Sequence, residues 1–301
     1  MGILMFGEVV WDDITPRGGS GKPEHLGGAP LNVAANCVKL GIQSGVCSAL
    51  GRDTLGDAAL QGVEMLEVDS RLIVRNERDT CLIQVRFDKQ GEPYYIIPEN
   101  VSWDFIKVPL PKWELVKKYS SLYYGTLALR SRESRETLQQ ILQQGKFAHV
   151  LCDVNLRPPF YSAETVEFCL QHCDRAKLNE EELDKVCALF SLEGQSLKDK
   201  MRAVMVRFSL EALIVTLGKN GAAYLDQAGF GISPGIPTSV KDPVGAGDGF
   251  CAGLLVSLER GCSLEEACGL GNQLGAYIAS KTSSIPFYTQ EEFLSWRSCH
   301  V

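Results

Sequence analysis

The 301-residue chain has only 4 histidines, 4 tryptophans and 5 methionines. His25, His149, His172 and His300 stand singly, and none fits a Ser–His or Cys–His nucleophile scheme. No two of the 11 cysteines are spaced as CxxC. Cys169 and Cys173 lie four apart, but no histidine or second pair completes a zinc set. Reduced, mostly buried thiols in a cytoplasmic protein are expected. No apolar run approaches the roughly 18 residues that span a bilayer. The opening residues Met1-Gly2-Ile3-Leu4-Met5-Phe6 lack a basic region and a small-residue cleavage site, so no signal peptide is expected. Lysine plus arginine reach 30 against 37 acidic residues, a net charge of −7. That balance argues against nucleic acid as a partner, while leaving room for a local basic pocket.

The common phosphate motifs are missing too. A P-loop requires GxxxxGK[ST], but Pro16 stands in its first position and Pro23 follows Gly21-Lys22. The dinucleotide fingerprint GxGxxG fails because Phe250 follows Gly245 and Gly247 at the wrong place. No HRD or DFG element of protein kinases is present.

What is present is an ordinary globular composition, 45% hydrophobic and 22% charged, enough to bury a large core. Apolar β-prone runs predict strands over 3–10, 44–50, 122–124, 150–154, 175–178, 212–217 and 222–225. Helical spacing predicts helices over 31–40, 54–67, 133–144, 163–173, 180–190 and 197–208, with two more closing the chain after Gly247 and Ser263. Pro30 and Gly41 punctuate the first helix. Residues 80–87 and 93–97 read as a hairpin around 88–92, and 15–24 as a loop or edge ribbon. The alternation predicts an α/β fold, a parallel sheet with helices on both faces. The hairpin and the ribbon read as an inserted lid.

One stretch carries the chemistry. In Asp242-Pro243-Val244-Gly245-Ala246-Gly247-Asp248-Gly249-Phe250 a glycine loop feeds an apolar helix. Free N–H groups and the positive dipole end at such a start form an anion site. A carboxylate there, Asp248, would repel a phosphate unless it has its own task, such as taking a proton from an attacking hydroxyl. In a sheet of this kind ligands bind beyond the carboxyl ends of the strands. Asp12, Asp153, Asn155, Arg157, Asn179, Glu182, Thr216 and Gly218 all fall at expected strand ends. Each has a bland alternative. Asp12 suits a turn cap and Asn179 a helix N-cap. Glu182 suits a solvated helix, Arg157 a loop brace, and the glycine runs plain turns. His25 reads as a loop histidine.

Order and spacing point further. Gly7-Glu8-Val9-Val10-Trp11-Asp12, Gly27-Gly28-Ala29-Pro30-Leu31-Asn32, Leu50-Gly51-Arg52-Asp53, Asp153-Val154-Asn155-Leu156-Arg157-Pro158, Asn179-Glu180-Glu181-Glu182, Thr216-Leu217-Gly218 and the 242–250 stretch together resemble the ribokinase-type carbohydrate kinases, in particular the fructokinase branch. The resemblance covers nearly the whole chain. It implies a single ribokinase-like α/β domain over 1–301: a central, mostly parallel sheet flanked by helices, with a small β-sheet lid inserted from about 13–26 and 72–100. It implies ATP-dependent phosphorylation of a sugar, fructose foremost, to the 6-phosphate. Asp248 would be the base, and Gly245, Ala246 and Gly247 the anion hole. Arg157 would lie on the phosphate path. Asp12, Gly27, Gly28, Asn32 and Asn155 would hold the sugar. Asn179, Thr216, Gly218 and Asn272 would line the nucleotide. Glu182 and Asn179 would organise Mg²⁺ through water, and Asp242 would serve a monovalent cation, K⁺ the candidate. Such lids often pair into homodimers, so a second copy is an expected partner. Departures keep other acceptors open. Val244 replaces a common threonine, Asp242-Pro243-Val244 is also similar to the 2-keto-3-deoxygluconate kinase branch, and 283–286 lacks a frequent glycine. Ribose, a nucleoside, or a silent sugar- or nucleotide-binding regulator are the remaining alternatives.

Overall fold

The computed structural model describes residues 2–14, 24–87 and 93–300. The described strands are β1 (Ile3–Phe6), β2 (Val10–Ile14), β3 (Glu24–Gly27), β4 (Ser44–Gly51), β5 (Ile73–Asn76), β6 (Leu82–Phe87), β7 (Pro93–Ile96), β8 (Ser121–Gly125), β9 (His149–Asp153), β10 (Arg175–Asn179), β11 (Ala212–Thr216), β12 (Gly221–Leu225) and β13 (Phe230–Pro234). The helices are α1 (Ala29–Lys39), α2 (Thr54–Met65), α3 (Trp113–Val116), α4 (Arg132–Gln144), α5 (Ala163–Gln171), α6 (Glu180–Leu189), α7 (Leu197–Phe208), α8 (Ala246–Glu259), α9 (Leu264–Ala279) and α10 (Gln290–His300).

Nine strands form one sheet in the order β13-β12-β11-β10-β9-β8-β1-β4-β5. Its pairs from β11 across to β5 are parallel, and β12 and β13 add antiparallel strands at one edge. Parallel strands covered on both faces need apolar side chains in both directions. Central β1 reads Ile3-Leu4-Met5-Phe6, and all four residues are fully buried. Ile3 and Met5 join the core formed with α1, α8 and α9, while Leu4 and Phe6 join the core formed with α4 to α7. A separate four-stranded sheet, β3-β2-β6-β7, lies beside the large one in sequence and carries Asp12 on β2. No helix among the described residues is long and apolar enough to cross a membrane. All 11 cysteines are free thiols, eight of them buried.

Several expectations are corrected. The run 3–10 is not one strand: at Gly7, with φ 146°, the chain leaves the large sheet, and Val10 begins β2 in the small one. The lid does not begin at 72, because Ile73–Asn76 pairs in parallel with β4 at the edge of the large sheet. A third closing helix, α10, follows the two expected; Phe293 and Trp296 pack it against Tyr277 of α9. The 15–23 ribbon and the 88–92 turn lie outside the described residues.

Helices α8 and α9 cross through glycines. A β-carbon on Gly253 would lie 2.6 Å from the Leu270 carbonyl oxygen and 2.9 Å from the Gly271 Cα, and one on Gly275 would lie 2.9 Å from the Ala246 carbonyl. This close seat fixes where α8 begins. Gly253→Val is therefore expected to destabilise the fold by about 1–3 kcal/mol, the usual overpacking range, read as a lower urea midpoint. An unchanged midpoint would contradict the packing account.

Candidate active site

The parallel strands deliver their carboxyl ends to one side of the sheet, where β1, β8, β9, β10 and β11 finish next to the start of α8. There a cleft of about 420 Å³ is lined by residues of both sheets. It gathers Asp12, Gly28, Asn32, Asn155, Arg157, Asn179, Glu182, Thr216, Gly245, Gly247 and Asp248, which the sequence reading had placed together.

Asp248 is the third residue of α8. Gly245 caps that helix in a left-handed conformation, φ 82°, with Ser284 packed where a side chain would go. The Ala246 N–H is bonded to the Pro243 carbonyl at 3.2 Å. Among the first-turn N–H groups, those of Gly247 and Asp248 are the ones without a backbone acceptor. Asn32, near the start of α1, donates from Nδ2 to Asp248 Oδ2 at 2.7 Å. Burial raises the Asp248 pKa to about 6, against the pull of the Asn32 hydrogen bond. That value suits a base working near neutrality.

Gly27 lies beside the cleft rather than on its lining. A β-carbon there would lie 3.6 Å from both Asn32 Oδ1 and Asp12 Oδ2, so its absence keeps the space between these two groups open. Gly28, φ 104°, could carry no side chain, since a β-carbon would lie 2.4 Å from the Glu8 carbonyl oxygen. Asp12 on β2 faces exposed His25 on β3. Burial raises its pKa to about 6, and His25 moderates the rise. Arg157 is exposed at the rim and forms no ion pair among the described residues, so the loop-brace reading fails.

Asn179 does cap α6: its Oδ1 accepts the Glu182 N–H at 2.8 Å, and Glu182 Oε2 accepts the Asn179 N–H at 2.9 Å. Glu182 is not a solvated residue. It is buried, its Oε1 accepts the Leu156 N–H at 2.9 Å, and burial and nearby Asp153 raise its pKa. Besides Gly27 and Ala246, three more expected residues stay outside the lining. Gly218 is exposed in a left-handed turn beyond Thr216. Asp242 caps the Val244 N–H at 2.9 Å. Asn272 is buried in mid-α9 and donates to Ser233 and Pro234 of β13, because that helix packs against that strand.

Two charged lining residues were not singled out from sequence. Lys177 on β10 is buried, with Nζ 3.1 Å from Asp153 Oδ1. A β-carbon on Gly247 would lie 3.6 Å from that Nζ, so the ammonium stands beneath the glycine loop. Burial is the largest single influence and opposes its charge, but the charge and hydrogen bond of Asp153, with Cys251 and Glu182 nearby, together hold the pKa above the ordinary lysine value. Asp153 also accepts from Tyr123 Oη at 3.3 Å and Cys251 Sγ at 3.4 Å. A lysine inside an apolar strand needs a buried partner, and that was the available signal. The second is Glu8, buried between the two sheets.

A glycine-loop helix start with a carboxylate and a lysine at the strand ends of an α/β sheet defines a phosphotransferase site. The chain belongs to the pfkB family of carbohydrate kinases, whose family model matches residues 20–290. It is 29% identical to Probable fructokinase-5 of Arabidopsis thaliana over 94% of this chain and 93% of that protein. Its fold matches an uncharacterized sugar kinase from Pyrococcus horikoshii in complex with ATP, with a TM-score of 0.82, 24% identity and 97% of each chain covered. It also matches a fructokinase from Vibrio cholerae O395 in fructose, ADP and calcium ion bound form, with a TM-score of 0.82, 23% identity and 98% of each chain covered.

Asp248→Asn tests the base. A carboxyl pKa raised from 3.8 to about 6 contributes stability at low pH that is lost as pH rises through that window. At pH 7.5 the amide should therefore raise Tm, with a smaller gain at pH 5. Turnover should fall by about 10²–10⁴. Near-normal turnover in the folded variant would sink the assignment.

Proposed function

We propose that the protein transfers the γ-phosphoryl group of ATP to a hydroxyl of a neutral sugar, with D-fructose the leading acceptor and D-fructose 6-phosphate the product. The observation that carries this reading is Asp248, hydrogen-bonded by Asn32 and set in the first turn of α8 beside open backbone donors. The acceptor hydroxyl gives its proton to Asp248 as its oxygen bonds to the γ-phosphorus. The bond from that phosphorus to the bridging oxygen breaks, and ADP leaves with the electron pair. Such a transfer needs alignment and charge neutralisation more than covalent catalysis. The Gly247 and Asp248 N–H groups and Lys177 are placed to receive the developing negative charge.

Mg²⁺, when bound with the nucleotide, supplies further charge neutralisation on the phosphates. Among the described residues no three His, Cys, Asp or Glu side chains cluster to ligate a metal directly. Each Glu182 oxygen accepts one backbone N–H and keeps a free lone pair, which suits a hold through water, with Asn179 alongside.

The cleft lining also bears on the acceptor. Glu8, Asp12, Asp153, Glu182 and Asp248 outnumber Arg157 and Lys177, which disfavours an acceptor that is itself an anion. One observation favours a second reading: the unpaired Arg157 guanidinium at the rim would suit a sugar acid such as 2-keto-3-deoxygluconate.

The test is ADP release with Mg-ATP across fructose, tagatose, ribose, 2-keto-3-deoxygluconate, adenosine and fructose phosphates. The expected result is a kcat/KM for fructose at least about tenfold above every other acceptor, a margin worth about 1.4 kcal/mol. Preference for the sugar acid would transfer the assignment to the second reading. Silence on all would overturn the kinase assignment in favour of a binding protein.

A further inference from the structure

Among the described residues Glu8 and Asp12 are the carboxylates of the cleft to which no other residue donates a hydrogen bond, and of the two Glu8 is the buried one. It lies in the three-residue crossing from the large sheet to the small one. Its backbone is held from two sides. At Gly7, φ 146°, a β-carbon would lie 2.9 Å from Pro30 Cγ, and at Gly28 one would lie 2.4 Å from the Glu8 carbonyl oxygen. The side chain is 7% exposed and lines the cleft. It makes no ion pair, and its one hydrogen-bond donor among the described residues is its own backbone N–H.

A buried carboxyl with so little satisfaction is costly. The other buried acids among the described residues have explanations: Asp104 pairs with Arg130, Asp153 pairs with Lys177, Glu182 closes a capping box, and Glu259 accepts from Ser120 and Ser121. Val10 and Ile83, both almost wholly buried, are apolar members of the same cleft lining. A side chain needed only to fill that space would be apolar.

We propose that Glu8 is a specificity-determining residue that hydrogen-bonds a second hydroxyl of the acceptor sugar, one other than the hydroxyl that receives the phosphoryl group. This rests on the sugar-kinase reading and extends it. A protonated carboxyl both donates and accepts, which matches a sugar hydroxyl and costs less to bury than a charge. The groups facing Glu8 are Arg157 from the loop after β9, Arg130 from the segment after β8, and Asp248 from α8. Burial is the largest influence and raises the pKa to about 7, while the two arginines pull it down and Asp248 pushes it up. The neutral form therefore gives way to the carboxylate as pH rises through about 7. Sugar affinity should fall over the same interval.

The experiment compares wild type, Glu8→Leu and Glu8→Gln in steady-state kinetics from pH 5.5 to 8.5, with a thermal melt and an ATP-binding titration for each. Glu8→Leu should raise the sugar KM at least about tenfold, a loss of about 1.4 kcal/mol, while the ATP KM stays within about twofold. Glu8→Gln should recover most of that affinity, because an amide also donates and accepts. Its kcat/KM for the sugar should lack the decline above pH 7 that wild type shows. A sugar KM within twofold of wild type in folded Glu8→Leu would overturn the proposal. If that variant does not fold, a Glu8→Gln profile with the wild-type alkaline decline overturns it instead. Wild-type activity on a sugar with no effect at Glu8 sinks this inference alone, whereas a wild type silent on every sugar sinks it together with the sugar-kinase reading.

Discussion

The Asn32–Asp248 hydrogen bond, 2.7 Å long, joins residues 216 apart in sequence. Everything else in the cleft is arranged around it. Asn32 sits one turn into α1, entered through Gly28 and Pro30, and Asp248 sits one turn into α8, entered through Gly245. The two helices pack side by side on the same face of the sheet. Neither group can be where it is unless both helix starts are fixed. The glycine crossing of α8 on α9 and the glycine entry to α1 supply that constraint.

Charge in the cleft is unbalanced in a way that has consequences. Of its cations only Lys177 is buried, and Asp153 holds it in the charged form. The pair sits under the glycine loop, so a fixed positive group faces the place where an anion would lie. The carboxylates nearer the small sheet have no such partner, and burial pushes Asp12, Asp248 and Glu8 toward neutrality. One end of the cleft therefore suits phosphate and the other suits hydroxyl groups. This imbalance is an electrostatic burden that bound ligands would relieve, as active sites commonly arrange.

Most of the large sheet was legible because doubly buried parallel strands read as continuous apolar runs, as in Leu213-Ile214-Val215. The break at Gly7 was not, since only Gly7 and Glu8 separate two apolar runs that belong to different sheets. Helix α10 has few buried residues, and its sequence signal was the Thr289-x-x-Glu292 box, whose reciprocal bonds are present at 2.8 and 3.2 Å. In the site, strand-end polar residues could be read from position alone. Lys177 could not, because its partner lies 24 residues away on a neighbouring strand. Asn179 shows that the bland and functional readings need not compete, since it caps a helix and lines the cleft at once. Asn272 shows the reverse, a residue suggested by resemblance whose amide is spent on packing α9 to β13.

The most direct measurement is a carbon-13 NMR titration of the Asp248 carboxyl in ligand-free protein, assigned by its loss in Asp248→Asn. The account predicts a midpoint near pH 6, and a higher one in Asn32→Ala, where the hydrogen bond that favours the ionised form is gone. A midpoint at about 3.9, the value of an unperturbed aspartate, and unmoved by Asn32→Ala, would contradict it.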